Sequence, residues 1–152
     1  METRRHVLEE PFAVTPERMF NILITPSAIR SWWGASKVIV TPQKDGVWIA
    51  SWGDDENDAD YISSYKISEF EPPKRMLLSD GKYFARDGGP PFDMELTTEF
   101  VVESWGEGCA LRITQDGFPT DEKANEFFDA CIIGWNNTFE GIRKYFYDNP
   151  EE

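Results

Sequence analysis

The chain has 152 residues, of which 40% are hydrophobic, and a formal net charge of −13. That length favours a single domain over residues 1–152 with a core of its own, and ordinary hydrophobic content excludes a disordered tail. A surface this negative repels phosphate backbones and anionic headgroups, and the 15 Lys and Arg form no stripe, which argues against nucleic acid as a partner.

No apolar run approaches the ~20 residues of a membrane span. The N-terminal "METRRHVLEE" lacks the apolar segment of a secretory signal, so the expected location is cytoplasmic. Six Trp, five Tyr and eleven Phe imply either a bulky core or a core that also encloses a cavity. Cys109 and Cys131 match no metal or redox spacing and read as free thiols.

In chain order, "RRHVLEEPFAV" reads as a strand. "TPERMFNIL" then starts a helix, with Thr15 as cap, Pro16 at the first helical position, and Val14 and Met19 at the spacing of a hydrophobic staple. The device repeats with Thr25, Pro26, Ile24 and Ile29, giving a second short helix that runs to Trp33 and stops at Gly34. Ile29, Trp32 and Trp33 then form one broad apolar face that needs something large to cover.

From residue 36 to about 117 the signals are strand signals: "KVIVTP", "GVWIASW", "YISSYKISEF", "RMLLS", "DMELTTEFVVES" and "CALRITQDGF". The connections are short and rich in turn residues, which predicts an antiparallel meander. "DMELTTEFVVES" alternates, with Met94, Leu96, Phe100 and Val102 on a buried face and Asp93, Glu95, Glu99 and Glu103 on a wet one. Residues 80–92 read as the longest irregular stretch, with Tyr83 and Phe84 placed to fold over an opening or to lie idle on a surface loop.

In the final segment, Phe128, Ile132, Trp135, Phe139, Ile142 and Phe146 recur at helical spacing. Thr120 is the expected cap, and Asn149-Pro150 the stop. A helix this long and broadly apolar must lie across a sheet. The expected fold class is α+β, a curved seven-stranded antiparallel sheet gripping the C-terminal helix, with two short helices after the first strand. A curved sheet cannot touch a straight helix along its whole length, so the gap is either filled with aromatics or left as a pocket.

At this point the sequence resembles the START-like helix-grip superfamily (SRPBCC). Within it the chain is most similar to homologues of the activator of the heat-shock protein 90 ATPase. The matching stretches are "FAVTPERMFNILITPSAIRSWWGAS", "DGVWIASW", "EFEPPKRMLLSDG", "GCALRITQDGFP" and "GWNNTFEGIRKYF", in order over nearly the whole chain. The resemblance implies a cavity for an apolar small molecule, as in many members, while a few relatives in the wider superfamily are cyclases or hydrolases. Eukaryotic relatives that stimulate the chaperone carry an additional N-terminal domain, for which this length leaves no room, and that departure weighs against chaperone activation.

The residues offer no evident catalytic constellation, metal site or cofactor motif. His6 is the lone histidine and cannot anchor a His-rich metal site. "RDGGPP" has proline where a phosphate-binding helix would begin, and "GDDENDAD" lacks the ligand order of a calcium loop. The expected function is therefore binding of a small apolar or amphipathic ligand between sheet and helix. The expected wall is Trp33, Trp48, Trp52, Phe100, Phe128, Ile132 and Trp135, with the resemblance favouring the tryptophan face of "GVWIASW" as inward. The alternatives are an interaction module with a protein partner such as a chaperone, and an enzyme with an acid–base pair in the cavity.

Overall fold

The computed structural model describes residues 2–53, 59–86, 88 and 95–150. Strand β1 (Thr3–Phe12) leads into helices α1 (Pro16–Ile24) and α2 (Pro26–Trp33). Six strands follow: β2 (Lys37–Val40), β3 (Val47–Trp52), β4 (Tyr61–Glu71), β5 (Arg75–Ala85), β6 (Leu96–Trp105) and β7 (Gly108–Pro119). A 3-10 turn (Glu122–Ala124) opens onto the long helix α3 (Asn125–Asp148). All seven strands form one antiparallel sheet in the order β1-β7-β6-β5-β4-β3-β2. The meander is as expected, and β1 closes it by pairing with β7.

The two short helices show why the chain needs so many indoles. Thr15 caps α1, its Oγ1 accepting from the Arg18 N–H at 3.1 Å. The second expected cap is not made. The Thr25 hydroxyl donates instead to Asn21 O at 2.7 Å and closes the end of α1, because that carbonyl has no intrahelical partner. The carbonyls of Ile22 and Leu23 are also left over at this end. Trp32 Nε1 donates to the first and Trp48 Nε1 to the second, each at 2.9 Å. Gly34 ends α2 with φ 73°, a left-handed conformation that glycine adopts without steric cost, and its N–H returns to Arg30 O.

The adjacent tryptophans of α2 thus have different tasks. Successive helix positions are rotated by about 100°, so Trp32 turns into the core beneath α1, whereas Trp33 turns toward the sheet and α3, where it stays partly accessible.

Two further expectations are corrected. The cap of the last helical segment is Asp121, not Thr120. Asp121 Oδ1 accepts from the Lys123 N–H at 3.0 Å and heads the 3-10 turn, while α3 itself begins without a side-chain cap. Residues 80–85 are not irregular, because β5 continues through Ala85. The strand survives because a bulge absorbs an extra residue between Leu78 and Gly81, where Asp80 takes φ 53°. The remainder of the expected loop, at 87 and 89–92, lies outside the described residues, as do Asp93, Met94 and 54–58 of "GDDENDAD". The acids Glu99 and Glu103 lie on the outer face, paired with Arg75 at 2.6 Å and Arg112 at 3.6 Å.

Helix α3 is docked unevenly. Trp135, Thr138, Phe139, Ile142, Tyr145 and Phe146 are buried, whereas Phe127, Phe128, Cys131 and Ile132 are only partly so. The C-terminal part meets the short helices and the core. The N-terminal part stands off the concave sheet, and the gap there is the cavity.

Candidate functional site

The cavity has a volume of about 270 Å³. One wall is α3, contributing Phe127, Ala130, Cys131, Gly134, Trp135 and Thr138. The opposite wall is the inner face of β4 and β5, with Ser63, Tyr65, Gly81 and Tyr83, and Trp33, Trp52, Leu96 and Gln115 close the remainder. The bulge at Asp80 resets the alternation of β5, so that Gly81 and Tyr83 face inward. Lys82 also borders the space, but it stands between two inward-facing residues and strand alternation directs its side chain to the outer face. No Asp or Glu lines the cavity among the described residues.

The tryptophans pack as one cluster around Trp33. Its ring centroid is 5.4 Å from Trp48, 4.8 Å from Trp52 and 5.8 Å from Trp135, the last nearly parallel at 20°. Trp33, Trp52 and Trp135 face the cavity. Trp48 and Phe100 lie beneath it, 6.0 Å apart and fully buried. Phe128 turns to the β1 side, 5.0 Å from Phe118 and 5.2 Å from His6, and Ile132 is partly buried without bordering the cavity. Of the seven residues named from the sequence, three border the space, two support it, and two lie off it.

The polar part of the wall went unnoticed in the sequence. Trp135 Nε1 donates to Gln115 Oε1 at 3.0 Å. Gln115 Nε2 donates to Tyr65 Oη and to Thr98 Oγ1, both at 3.3 Å. The Thr98 hydroxyl donates to Tyr65 Oη at 3.0 Å. The signal was legible, because Thr98 and Gln115 occupy inward positions of β6 and β7 that are otherwise filled by Leu96, Phe100, Val102, Cys109, Leu111 and Ile113. A polar side chain on the buried face of a strand must find a partner. Gly81 is the other half of the arrangement. A Cβ there would fall 2.4 Å from Tyr65 Cε1, so only glycine lets the phenol ring lie across β5.

Burial raises the Tyr65 pKa, the hydrogen bonds from Thr98 and Gln115 opposing it only in part. Burial pushes the Cys131 thiol up to about 12 and the Cys109 thiol to about 11. Both cysteines are therefore neutral and unreactive at ordinary pH. Among the described residues no group of three His, Cys, Asp or Glu is placed to hold a metal ion.

His6 lies outside the cavity. It pairs with Gln115 across β1 and β7 and is buried between Phe118 at 5.1 Å and Phe128. Neither ring nitrogen meets hydrogen-bond geometry, and Arg4 lies over the Phe128 ring at 4.2 Å. Burial lowers its pKa from 6.5, the nearby Gln115 side chain opposing in part. The folded state then binds the proton less readily than the unfolded chain. Its contribution is fully present above 6.5 and is lost as pH falls below that value. We expect the melting temperature to drop on acidification, with this component absent in His6→Phe. Parallel pH profiles for the two proteins would contradict the assignment.

With the geometry established, comparison with known proteins identifies the family. The profile described as "Activator of Hsp90 ATPase homolog 1-like protein" matches residues 13–147. The chain belongs to this family. Solved structures with the same helix-grip fold include protein MLL2253 from Mesorhizobium loti, with a TM-score of 0.77 and 20% identity over 98% of this chain and 100% of that one. Another is the protein of unknown function SA2116 from Staphylococcus aureus, with a TM-score of 0.77 and 10% identity over 99% and 98%. CalU16 from Micromonospora echinospora has a TM-score of 0.66 and 13% identity over 95% and 86%. At these identities the likeness concerns the fold alone. No curated protein matches the chain. No helix among the described residues is long and apolar enough to cross a membrane.

Proposed function

We propose that this member of the Hsp90 ATPase activator homolog family binds a small, mainly apolar molecule in the space between β4, β5 and α3. The observation that carries the reading is the cavity of about 270 Å³ bordered by Trp33, Trp52 and Trp135. An apolar cavity of about 150 Å³ is large enough to hold benzene, so this one has room for a bicyclic molecule. Burying apolar ligand surface contributes roughly 25 cal/mol per Å², and a rigid aromatic wall limits the ordering cost that opposes it.

A screen of monocyclic and bicyclic aromatic fragments by saturation-transfer NMR tests this. Bound fragments are expected with the wild type, and Trp33→Ala is expected to weaken them at least about tenfold, more than it weakens folding. A folded wild-type protein that takes none of them, or unchanged affinity in folded Trp33→Ala, would count against the reading.

A second reading, docking on a chaperone, draws on the exposed aromatics Tyr61, Tyr83 and Phe84, the first two stacked at 6.2 Å. It requires that the protein raise the ATPase rate of purified Hsp90 and that replacing Tyr83 and Phe84 abolish the effect. An unchanged rate with the wild type would remove it.

A further inference from the structure

The hydrogen bonds around Tyr65 have a sense that is set at Gln115. An indole N–H only donates, so Trp135 sets Gln115 Oε1 as its acceptor and turns Nε2 toward the two hydroxyls. Nε2 faces the hydroxyl pair, with Tyr65 Oη and Thr98 Oγ1 each at 3.3 Å. The two hydroxyls share a single hydrogen bond, in which Thr98 donates to Tyr65. Between them they hold two protons, and that bond uses one. The proton left over belongs to Tyr65, the member of the pair that borders the cavity. Ser63, which lies near the phenol, borders the same space.

Two other polar groups of the lining do not compete. The Thr138 hydroxyl is spent on Gly134 O at 2.9 Å, and the Cys131 thiol, kept neutral by burial, is a weak donor and acceptor. Among the described residues the lining side chains carry no charge once Lys82 is directed outward, and the molecule as a whole is strongly acidic. An anion entering would lose its hydration without gaining a counter-charge. A cation held through hydrogen bonds would meet a donor rather than an acceptor.

We propose that the cavity is built for an uncharged, flat aromatic molecule carrying a hydrogen-bond-accepting oxygen, such as an aryl ketone, received by the hydroxyl at the end of the Trp135–Gln115–Thr98–Tyr65 chain. This rests on the cavity binding a ligand at all. The flat shape follows from the nearly parallel indoles of Trp33 and Trp135, and the size from the volume. A ligand without the acceptor leaves a desolvated donor unpaired, which is a strong basis for discrimination.

Three probes of nearly equal size separate the possibilities: acetylnaphthalene, ethylnaphthalene and naphthoate. Affinities follow from tryptophan fluorescence or calorimetry. Acetylnaphthalene is expected to bind about tenfold more tightly than ethylnaphthalene, with naphthoate the weakest. Tyr65→Phe is expected to erase the advantage of the ketone, so that acetylnaphthalene and ethylnaphthalene bind alike. Should that variant fail to fold, the ranking of the three probes on the wild type decides by itself. Equal binding of the ketone and the hydrocarbon, or tightest binding of naphthoate, overturns the assignment of ligand class and leaves the binding reading intact. Failure of all three to bind overturns both.

Discussion

Replacing Trp48 with alanine is expected to cost about 3–5 kcal/mol of folding stability, enough to unfold a large fraction of a domain of this size at moderate temperature. The ring is almost wholly buried, with its centroid 5.4 Å from Trp33 and 6.0 Å from Phe100, and its N–H carries the Leu23 carbonyl at the end of α1. Truncation opens a cavity under the tryptophan cluster and also strands a buried carbonyl. Trp48→Phe separates the two contributions in part. It keeps one aromatic ring but loses the donor and part of the volume, so about 1–3 kcal/mol is expected, less than for alanine. Chemical denaturation measures both. A loss below about 1 kcal/mol in the alanine variant would mean that Trp48 does not support the site from below.

The second large effect lies in α3, where two glycines are expected to respond with opposite signs. An alanine in a helix interior is favoured over glycine by about 1 kcal/mol. At Gly134 nothing lies within 4 Å of the added Cβ, so Gly134→Ala is expected to stabilise by about 0.5–1 kcal/mol while taking space from the cavity. At Gly141 the Cβ would fall 2.1 Å from the Trp32 carbonyl oxygen. That oxygen is main chain of α2 and cannot swing aside as a flexible side chain would. The collision outweighs the propensity, and Gly141→Ala is expected to destabilise by about 1–3 kcal/mol. Urea titration with an unchanged m-value checks both. If the two variants shift stability in the same direction, the close approach of α2 and α3 is not what Gly141 serves.

The contrast matters for function. The contact at Gly141 presses the C-terminal part of α3 against α2. Because the sheet curves away, tight docking at that end holds the other end off it. Gly134 sits beside the resulting gap and meets nothing across it. The cavity therefore follows from where the helix is pinned.

Chain order, the period-2 strands and the helical spacing of Trp135, Phe139, Ile142 and Phe146 determined the fold class from the sequence alone, because each is a local pattern. The Thr15 cap and the Gly34 stop were fixed in the same way, by chemistry within a few residues. The family was legible for the same reason, since its motifs are contiguous. The wall of the cavity was legible only in part. Trp33, Trp52 and Trp135 announce themselves by size, but Gly81, Ala130 and Gly134 shape the space by being small and carry no hydrophobic signal. Phe128 obeys the helical period and yet turns toward His6, because the stripe of α3 is wider than the surface it covers.

Only the tertiary structure decided that a bulge at Asp80 turns Tyr83 inward, or that Trp32 and Trp48 finish α1. The same holds for the network in which Tyr65, Thr98, Gln115 and Trp135 meet from four different elements. Such pairings depend on strand register and on the angle at which a helix crosses a sheet. Both are set by packing between residues far apart in the chain, and no local pattern encodes them.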